Sequence, residues 1–290
     1  MGIRRWLQHR WRRIKRLPWA VLGVLVGAAV VSSLVGLRGD EEGLRGVWLN
    51  LGTELAGAAV TFVLIDLFLG TRERKASLMA KVGSNVRGVA VAAADEMRRE
   101  GWLSDGSLKG QRLDGANLEG AWLRAASLEW ANLSEAVLTG ASLEGASLRG
   151  AVMKRATLDG ATLTAATLEG CSLEWATLRG AVLTGANLQG AGLTRADLEG
   201  AVLTGANLEG AWLRTANLAR CDLRDATLRG ASLRGANLEG ASVPADALDR
   251  TKILAGATLP NGRELSKENW EAELEAWRKR GESGACYADT

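Results

Sequence analysis

The stretch ANLEGAWLRAASLEWANL, residues 116–133, decides the fold. Leucine returns at Leu118, Leu123, Leu128 and Leu133, every fifth residue. An α-helix advances about 100° per residue, so five residues leave successive leucines roughly 140° apart. A strand alternates its faces, so an odd step sends them to opposite sides. The leucines meet only if the backbone turns a corner once per unit. Each side then points its Leu and a small residue inward, and its other three residues outward.

The pattern extends far beyond the quoted stretch. From Leu108 to Val243 there are 28 units, with Leu at every fifth position apart from Met153 and Val243. From Ala116 to Ala241 the position two before it is Ala, replaced only by Cys171 and Cys221. Most units carry Gly two residues after the Leu. The chain has 36 Gly and 3 Pro, as a tight repeating backbone requires. So strict a period predicts stacked repeats. Four corners close a 20-residue coil, and seven coils stacked at strand spacing make a rod roughly 34 Å tall. The expected fold class is a mainly β, quadrilateral solenoid over residues 102–245.

A 20-residue coil sets residues 20 apart in vertical register. Glu129, Arg149, Glu169, Gln189, Glu209 and Arg229 form one outer column of nearly alternating sign. Neighbours about 5 Å apart contribute a few tenths of a kcal/mol each, against ~1.5–3 kcal/mol for a buried Leu. Thr164, Thr184 and Thr204 form a second column, predicted to stack their hydroxyls. Arg155, Trp175 and Arg195 share a third, with Glu135 below. A Trp between two Arg is either a partner-binding hot spot or an intramolecular cation–π stack. Trp122, Trp130 and Trp212 also point outward and join the candidate partner-binding set, although they lie on more than one face. Cys171 and Cys221 are two and a half coils apart, on opposite sides, which excludes a disulfide.

The segments GANLEGAWL, RADLEGAVL and TANLARCDL resemble the A-(D/N)-L-x-x pattern of the pentapeptide repeat proteins. The resemblance covers about half the chain. It implies a right-handed quadrilateral β-helix, and the corner count agrees. The layout also resembles bacterial membrane proteins that pair two spans with a cytoplasmic pentapeptide array, NLGTELAGAAVTF and GWLSDGSLKG standing as signatures. The position before Leu departs from the family pattern: Ser, Thr, Val and Trp stand there beside Asn and Asp. That predicts less uniform turns.

Residues 19–37 carry no charge, and 47–70 form a second apolar stretch interrupted by Glu54 and Asp66. Read as a transmembrane hairpin, they predict a multi-pass bacterial inner-membrane protein with the lipid bilayer as partner. A buried soluble helix is the competing reading of the second stretch. Seven Lys or Arg and no acid in residues 1–16, and RERK at 72–75, place both termini and the repeats in the cytoplasm. A cleaved signal peptide is disfavoured by the length of the apolar run and the second stretch behind it. The basic segment 1–18 sets Ile3, Leu7, Trp11 and Ile14 on one face of a candidate surface helix. Gly23 with Gly27, and Thr53, Gly57 and Thr61, form small-residue faces suited to tight helix packing or a homo-oligomer. Glu54 shares the second face, as a hydrogen-bonded contact or as a functional acid.

Residues 71–101 read as a connector helix, with Leu78, Val82, Val86, Val89, Ala93 and Met97 at three- and four-residue steps. Gly83-Ser84 is a candidate break and Gly101 a suitable C-terminal stop. The helix either zips protomers together or covers the open end of the solenoid. After Val243 the period lapses. SKENWEAELEAWRKRG, 266–281, then reads as an amphipathic cap within 246–281, with Trp270, Leu274 and Trp277 on one face. Residues 282–290 read as a disordered tail.

No nucleophile–base pair, phosphate loop or metal cluster stands in the sequence, and the single histidine, His9, lies outside the array. The expectation is a non-enzymatic protein without cofactor, a membrane-anchored scaffold that presents a rigid outer face to a cytoplasmic protein. Two alternatives are a DNA mimic that binds topoisomerases and a small oligomeric membrane channel or sensor using Glu54. Mimicry needs an acidic surface. The 13 basic and 14 acidic residues of 108–243 argue against it and against nucleic acid as a partner.

Overall fold

The computed structural model describes residues 27, 30, 31, 53, 54, 56, 57, 60, 61, 69–243, 247, 248, 251, 254–266 and 268–279. The chain divides into two units, Met1–Ala76 and Ser77–Thr290. In the first, every described residue is helical. Most of the stretches 19–37 and 47–70 lies outside the described residues, and the basic segment 1–18 and the tail 282–290 lie outside them entirely. Crossing the ~30 Å hydrocarbon core takes about 20 apolar residues in one helix. Among the described residues no helix is long and apolar enough to do so. The multi-pass inner-membrane localisation is therefore corrected, and nothing in the described residues supports the bilayer as a partner.

The second unit is built on the five-residue period. Parallel bridges join residues 20 apart, from Arg112 with Asn132 to Asp222 with Ser242. Each is a single-residue bridge, and no longer strand forms among the described residues of the array. The reason is local: the turn consumes the rest of each unit. In the unit of Leu138, the Leu138 N–H donates to Thr157 O (2.7 Å) in the next coil and Val137 N–H to Ala116 O (2.9 Å) in the preceding one. Gly140 N–H reaches Asp159 O (2.9 Å), and Ala141 N–H closes the turn on Leu138 O (2.9 Å). Four of the five backbone donors are thus satisfied by backbone.

The fifth donor, on the residue after Leu, explains the value of Asn or Asp before it. Ser134 N–H donates to Asn132 Oδ1 (3.1 Å), Glu209 N–H to Asn207 Oδ1 (3.0 Å) and Arg224 N–H to Asp222 Oδ1 (3.1 Å). This side-chain-to-backbone bond is an Asx turn. Where Ser, Thr, Val or Trp replaces Asn, the turn does not change. The residue two after the Leu has positive φ in all 27 units from 110 to 240, between 54° and 67°. The non-uniform turns expected from the sequence do not occur, because the i+3 hydrogen bond and the coils on either side fix the corner regardless of the Asx bond.

Seventeen of those corners are Gly, and ten are not. A left-handed non-glycine residue costs roughly 1–2 kcal/mol, partly offset by the ~0.5–1 kcal/mol of extra chain entropy that Gly loses on folding. Ala165 (φ 55°) stands in one column between Gly145 and Gly185. Ala165→Gly is expected to stabilise the protein by about 0.5–1 kcal/mol, read as a higher guanidinium midpoint. An unchanged or lower midpoint would mean that this corner carries no strain.

Inside, every Leu from Leu108 to Leu238, and Met153, is at most 1% exposed, and the alanines beside them are buried too. Cys171 and Cys221 are buried free thiols in alanine positions. Burial pushes both up to about 12, so neither is a thiolate at neutral pH. The Cys221 thiol donates to Leu198 O (2.9 Å). The expected hydroxyl ladder is corrected: among the described residues no hydrogen bond links Thr164, Thr184 and Thr204. Amides make the ladders instead. Asn207 Nδ2 donates to Asn187 Oδ1 (3.1 Å), and Asn217 Nδ2 to Asp197 Oδ1 (2.9 Å), because a hydroxyl is too short to span two coils.

Both ends of the stack are covered. Helix α1, Arg87–Glu100, buries Ala90, Ala93, Ala94 and Met97, and Leu78 and Val82 join the same core. Val86 and Val89, expected on that face, are 56% and 41% exposed. The chain breaks at 83–86 and restarts the helical phase, which swings the apolar face onto the alanines. Ser84 O accepts from Asn117 N–H (2.8 Å) and Leu103 O from Ser127 N–H (2.8 Å), which satisfies first-coil donors. Gly101 ends α1 in the left-handed conformation (φ 77°).

At the other end the period does not stop at Val243. Ala257, Thr258 and Leu259 form another rung, bridged to Asn237 and shifted by one residue, with Ala257 and Leu259 fully buried. An antiparallel bridge from Thr258 to Glu264 then closes the edge. Helix α2, Trp270–Lys279, follows, with Leu274 buried and Trp270 partly buried against the core. The Trp277 side chain lies outside the described residues.

Candidate functional site

The solenoid has four walls, named here by their inward residues. The first carries Leu108, Leu128 and their successors, the second Leu113 onward, the third Leu118 onward and the fourth Leu123 onward. Apart from Met153, Cys171, Cys221 and Val243, all buried, the walls differ only in their outward residues, so any recognition by the array's sides lies there.

Charge is distributed unevenly. The second wall and its corner hold Arg112, Lys154, Arg155, Arg195, Arg214 and Arg234 against Asp114, Glu135 and Glu174. The third holds Glu119, Asp159, Asp197, Glu199 and Glu239 against Arg179 and Arg220. The near-neutral total hides a net +3 beside a net −3.

Pairing sharpens the contrast. Nine of the array's basic residues touch a carboxylate. The alternating first-wall column does as its sequence suggests: Lys109 meets Glu129 (3.2 Å), Arg149 meets Glu169 (3.0 Å) and Arg229 meets Glu209 (3.8 Å). On the fourth wall the Arg224 guanidinium holds the Asp222 carboxyl at about 2, below its ordinary 3.8. On the third, Glu119, Asp197 and Glu199 are matched by Arg87, Arg179 and Arg220. Among the described residues, the four array cations without a carboxylate partner are Arg155, Arg195, Arg214 and Arg234. All four are exposed and all belong to the second wall and its corner.

The candidate aromatic residues divide in the same way. Arg195 lies over the Trp175 ring, its guanidinium carbon 4.4 Å from the ring centroid. No such contact joins Arg155 to that ring among the described residues, so the stack is one-sided. Trp212, 63% exposed, lies on the same wall above Gly192, to which it is bridged. Trp130 projects from the corner between the first and second walls, where its ring fills the space a side chain at Gly150 would need. Trp122 stands on the fourth wall, opposite, and is not brought to the others. Exposures of 62%, 66%, 51% and 63% for Trp122, Trp130, Trp175 and Trp212 leave all four rings open to solvent.

Backbone strain marks the same corner. Glu135, Arg155, Trp175, Arg195 and Thr215 stack in one column, each with positive φ. They are half of the array's non-glycine left-handed residues. At this corner the chain forgoes glycine over five successive coils and keeps large polar or aromatic side chains.

Arg214 and Arg234 are absent from the sequence-derived candidates. Their signal is visible once the sequence is written in rows of twenty: Arg214 lies between Thr194 and Arg234, with no acid above or below it.

Of the candidate helix-packing residues, Gly23 lies outside the described residues. Gly27, Thr53, Glu54, Gly57 and Thr61 are helical and exposed. Among the described residues nothing lies within 4 Å of where a side chain at Gly27 or Gly57 would begin, and the Thr61 hydroxyl donates to Gly57 O (2.9 Å). Elsewhere, a depression of about 460 Å³ lies on the third wall where Ala219 interrupts a column of longer side chains, between Glu199 and Glu239. No His, Cys, Asp and Glu grouping suited to a metal ion occurs among the described residues.

A four-walled stack of five-residue units with this inward Ala and Leu pattern defines a class, the quadrilateral β-solenoid. Comparison with known sequences narrows the class to a family. The Pentapeptide repeats profile matches in eight copies, over residues 131–170, 156–194, 168–205, 181–220 and 201–240. The chain belongs to the pentapeptide repeat proteins, whose fold is a right-handed β-helix. Among solved structures it is similar to HetL, a pentapeptide repeat protein involved in heterocyst differentiation regulation from the cyanobacterium Nostoc sp. strain PCC 7120. That match has 33% identity over 53% of this chain and 87% of that one, with a TM-score of 0.23. It is also similar to a pentapeptide repeat protein of the Arabidopsis thaliana thylakoid lumen, at 27% identity over 40% and 84%, TM-score 0.26. A third is QnrB1, a plasmid-mediated fluoroquinolone resistance protein, at 17% identity over 62% and 92%, TM-score 0.33. None of the curated proteins compared matches the chain.

Proposed function

We propose that this protein is a non-enzymatic scaffold that binds another protein through the second wall of its solenoid and the corner that follows. The observation that carries this reading is a coincidence of position. The array's unneutralised arginines and half of its strained non-glycine corners share one edge, with Trp175 and Trp212 beside them. Elsewhere the array neutralises its cations with carboxylates of the same unit or of the neighbouring coil. Groups left bare at a conformational cost, on an otherwise self-satisfied surface, mark a place kept for something else. A rigid stack suits this role, because wall residues are already fixed and little ordering entropy is lost on binding.

Site-specific photo-crosslinking tests the reading. A benzophenone amino acid at Trp175 is expected to give a discrete protein adduct in cells. The same group at Val182, on the fourth wall, is expected to give none. Equal labelling from both positions, or none from either, would remove the second wall as the docking surface.

DNA mimicry is the weaker reading here. A mimic must present free carboxylates at phosphate-like spacing. On the acidic third wall Glu119, Asp197 and Glu199 are each within ion-pair distance of an arginine.

A further inference from the structure

We propose that the second wall receives an extended acidic segment of a partner polypeptide, laid along the solenoid axis across successive coils. This rests on the scaffold reading above and names the chemistry of its partner.

Arg155, Trp175, Arg195, Arg214 and Arg234 each belong to the next coil in turn, and Trp212 shares the coil of Arg214. At about 4.8 Å per coil the strip runs about 19 Å, the length of some six extended residues. Arginine suits the task. Its planar fork takes a carboxylate through two parallel hydrogen bonds, and its long stem absorbs the mismatch between coil spacing and the ~6.8 Å repeat of side chains on one side of an extended chain. Four such groups with no carboxylate partner among the described residues lose no existing ion pair on binding, although Arg195 already lies over the Trp175 ring. Trp212, open to solvent, offers an apolar surface to a side chain between the acids.

Nucleic acid presents the same charge sign but fits less well. A phosphate chain carries a charge at every residue, and here Glu135 lies one coil below Arg155 while Glu174 sits beside Trp175 and holds Lys154 at 2.9 Å. These fixed carboxylates repel a continuous polyanion and spare a peptide whose acids are spaced. One face of the Trp175 ring is already taken by Arg195, which removes a stacking platform that a base would use.

The test is fluorescence anisotropy with the full chain. The probe is a labelled twelve-residue peptide with Glu at every second position and Ser and Leu between. Its control has Gln for every Glu, and a twelve-residue oligothymidylate is the competing polyanion. The Glu peptide is expected to bind about tenfold or more tighter than the Gln peptide, and to weaken with salt. Arg214→Glu with Arg234→Glu is expected to weaken it by about tenfold or more, and the milder pair Arg214→Gln with Arg234→Gln by less, in the same direction. Arg149→Gln with Arg229→Gln, on the first wall, should leave binding within about twofold. Equal binding of the Gln peptide, equal loss in the first-wall variant, or tighter binding of the oligothymidylate would each overturn the proposal. Crosslinking from position 175 without acidic-peptide binding would refute the partner chemistry and leave the scaffold reading standing. Failure of both would refute the two together.

Discussion

Leu178→Ala is expected to cost about 3–5 kcal/mol, the upper part of the range for a buried leucine. Leu178 is fully buried, and its N–H is fixed to Asp197 O at 2.6 Å in the next coil. The residue before it, Thr177, bridges coils on both sides, to Thr157 and to Asp197. A cavity at this place cannot close, because the walls that would have to move are tied above and below. Guanidinium unfolding followed by far-ultraviolet dichroism measures the loss, and Thr164→Ala, an outward change, is the control. A repeat stack is held by contacts between adjacent coils, so a large enough cavity also uncouples the two halves and lowers the denaturant slope. A loss below about 1 kcal/mol would show that the walls relax inward, contrary to a close-packed interior.

Removing the N-terminal cover is expected to make the protein associate end to end. Helix α1 buries Ala90, Ala93, Ala94 and Met97 over the open end of the first coil. A chain that begins at residue 102 exposes that end and loses Ser84 O, the acceptor for Asn117 N–H. The bared rung is a row of backbone groups ready to pair with another chain. Sedimentation velocity should show end-to-end dimers and larger species. Met97→Glu, which keeps the helix but charges a fully buried position, should shift the same distribution in the same direction. A truncated chain that stays monomeric and folded would mean the first coil needs no cover.

How much of this was legible in the sequence follows from which interactions are periodic. Leucine every fifth residue has only one backbone solution, so the core, the corner count and the vertical register were all readable from Leu108 to Val243. Features set by a single residue were not. The rung at Ala257 to Leu259 is displaced by one residue, enough to hide it from a strict count of five. Val86 and Val89 fit one helical face only if the helix runs unbroken, and the break at 83–86 resets it. The threonine column was in register, but hydroxyl reach rather than register decides whether a ladder bonds. Arg214 and Arg234 stand out only by the absence of an acid above and below, a two-dimensional fact hidden in a linear string. The apolar stretches 19–37 and 47–70 suggested spans by composition alone, and no described helix supplies one.

The twenty-residue register has a consequence for how such a protein can change. Inserting or deleting four units preserves every outward column and merely lengthens or shortens the rod. Inserting one unit rotates everything beyond it by a quarter turn. A five-residue insertion between Trp175 and Arg195 would therefore carry Arg195, Arg214 and Arg234 around to another side while leaving the dry interior intact. Length and recognition are thus edited by different step sizes, and an indel that costs almost nothing in folding can dismantle a composite surface outright.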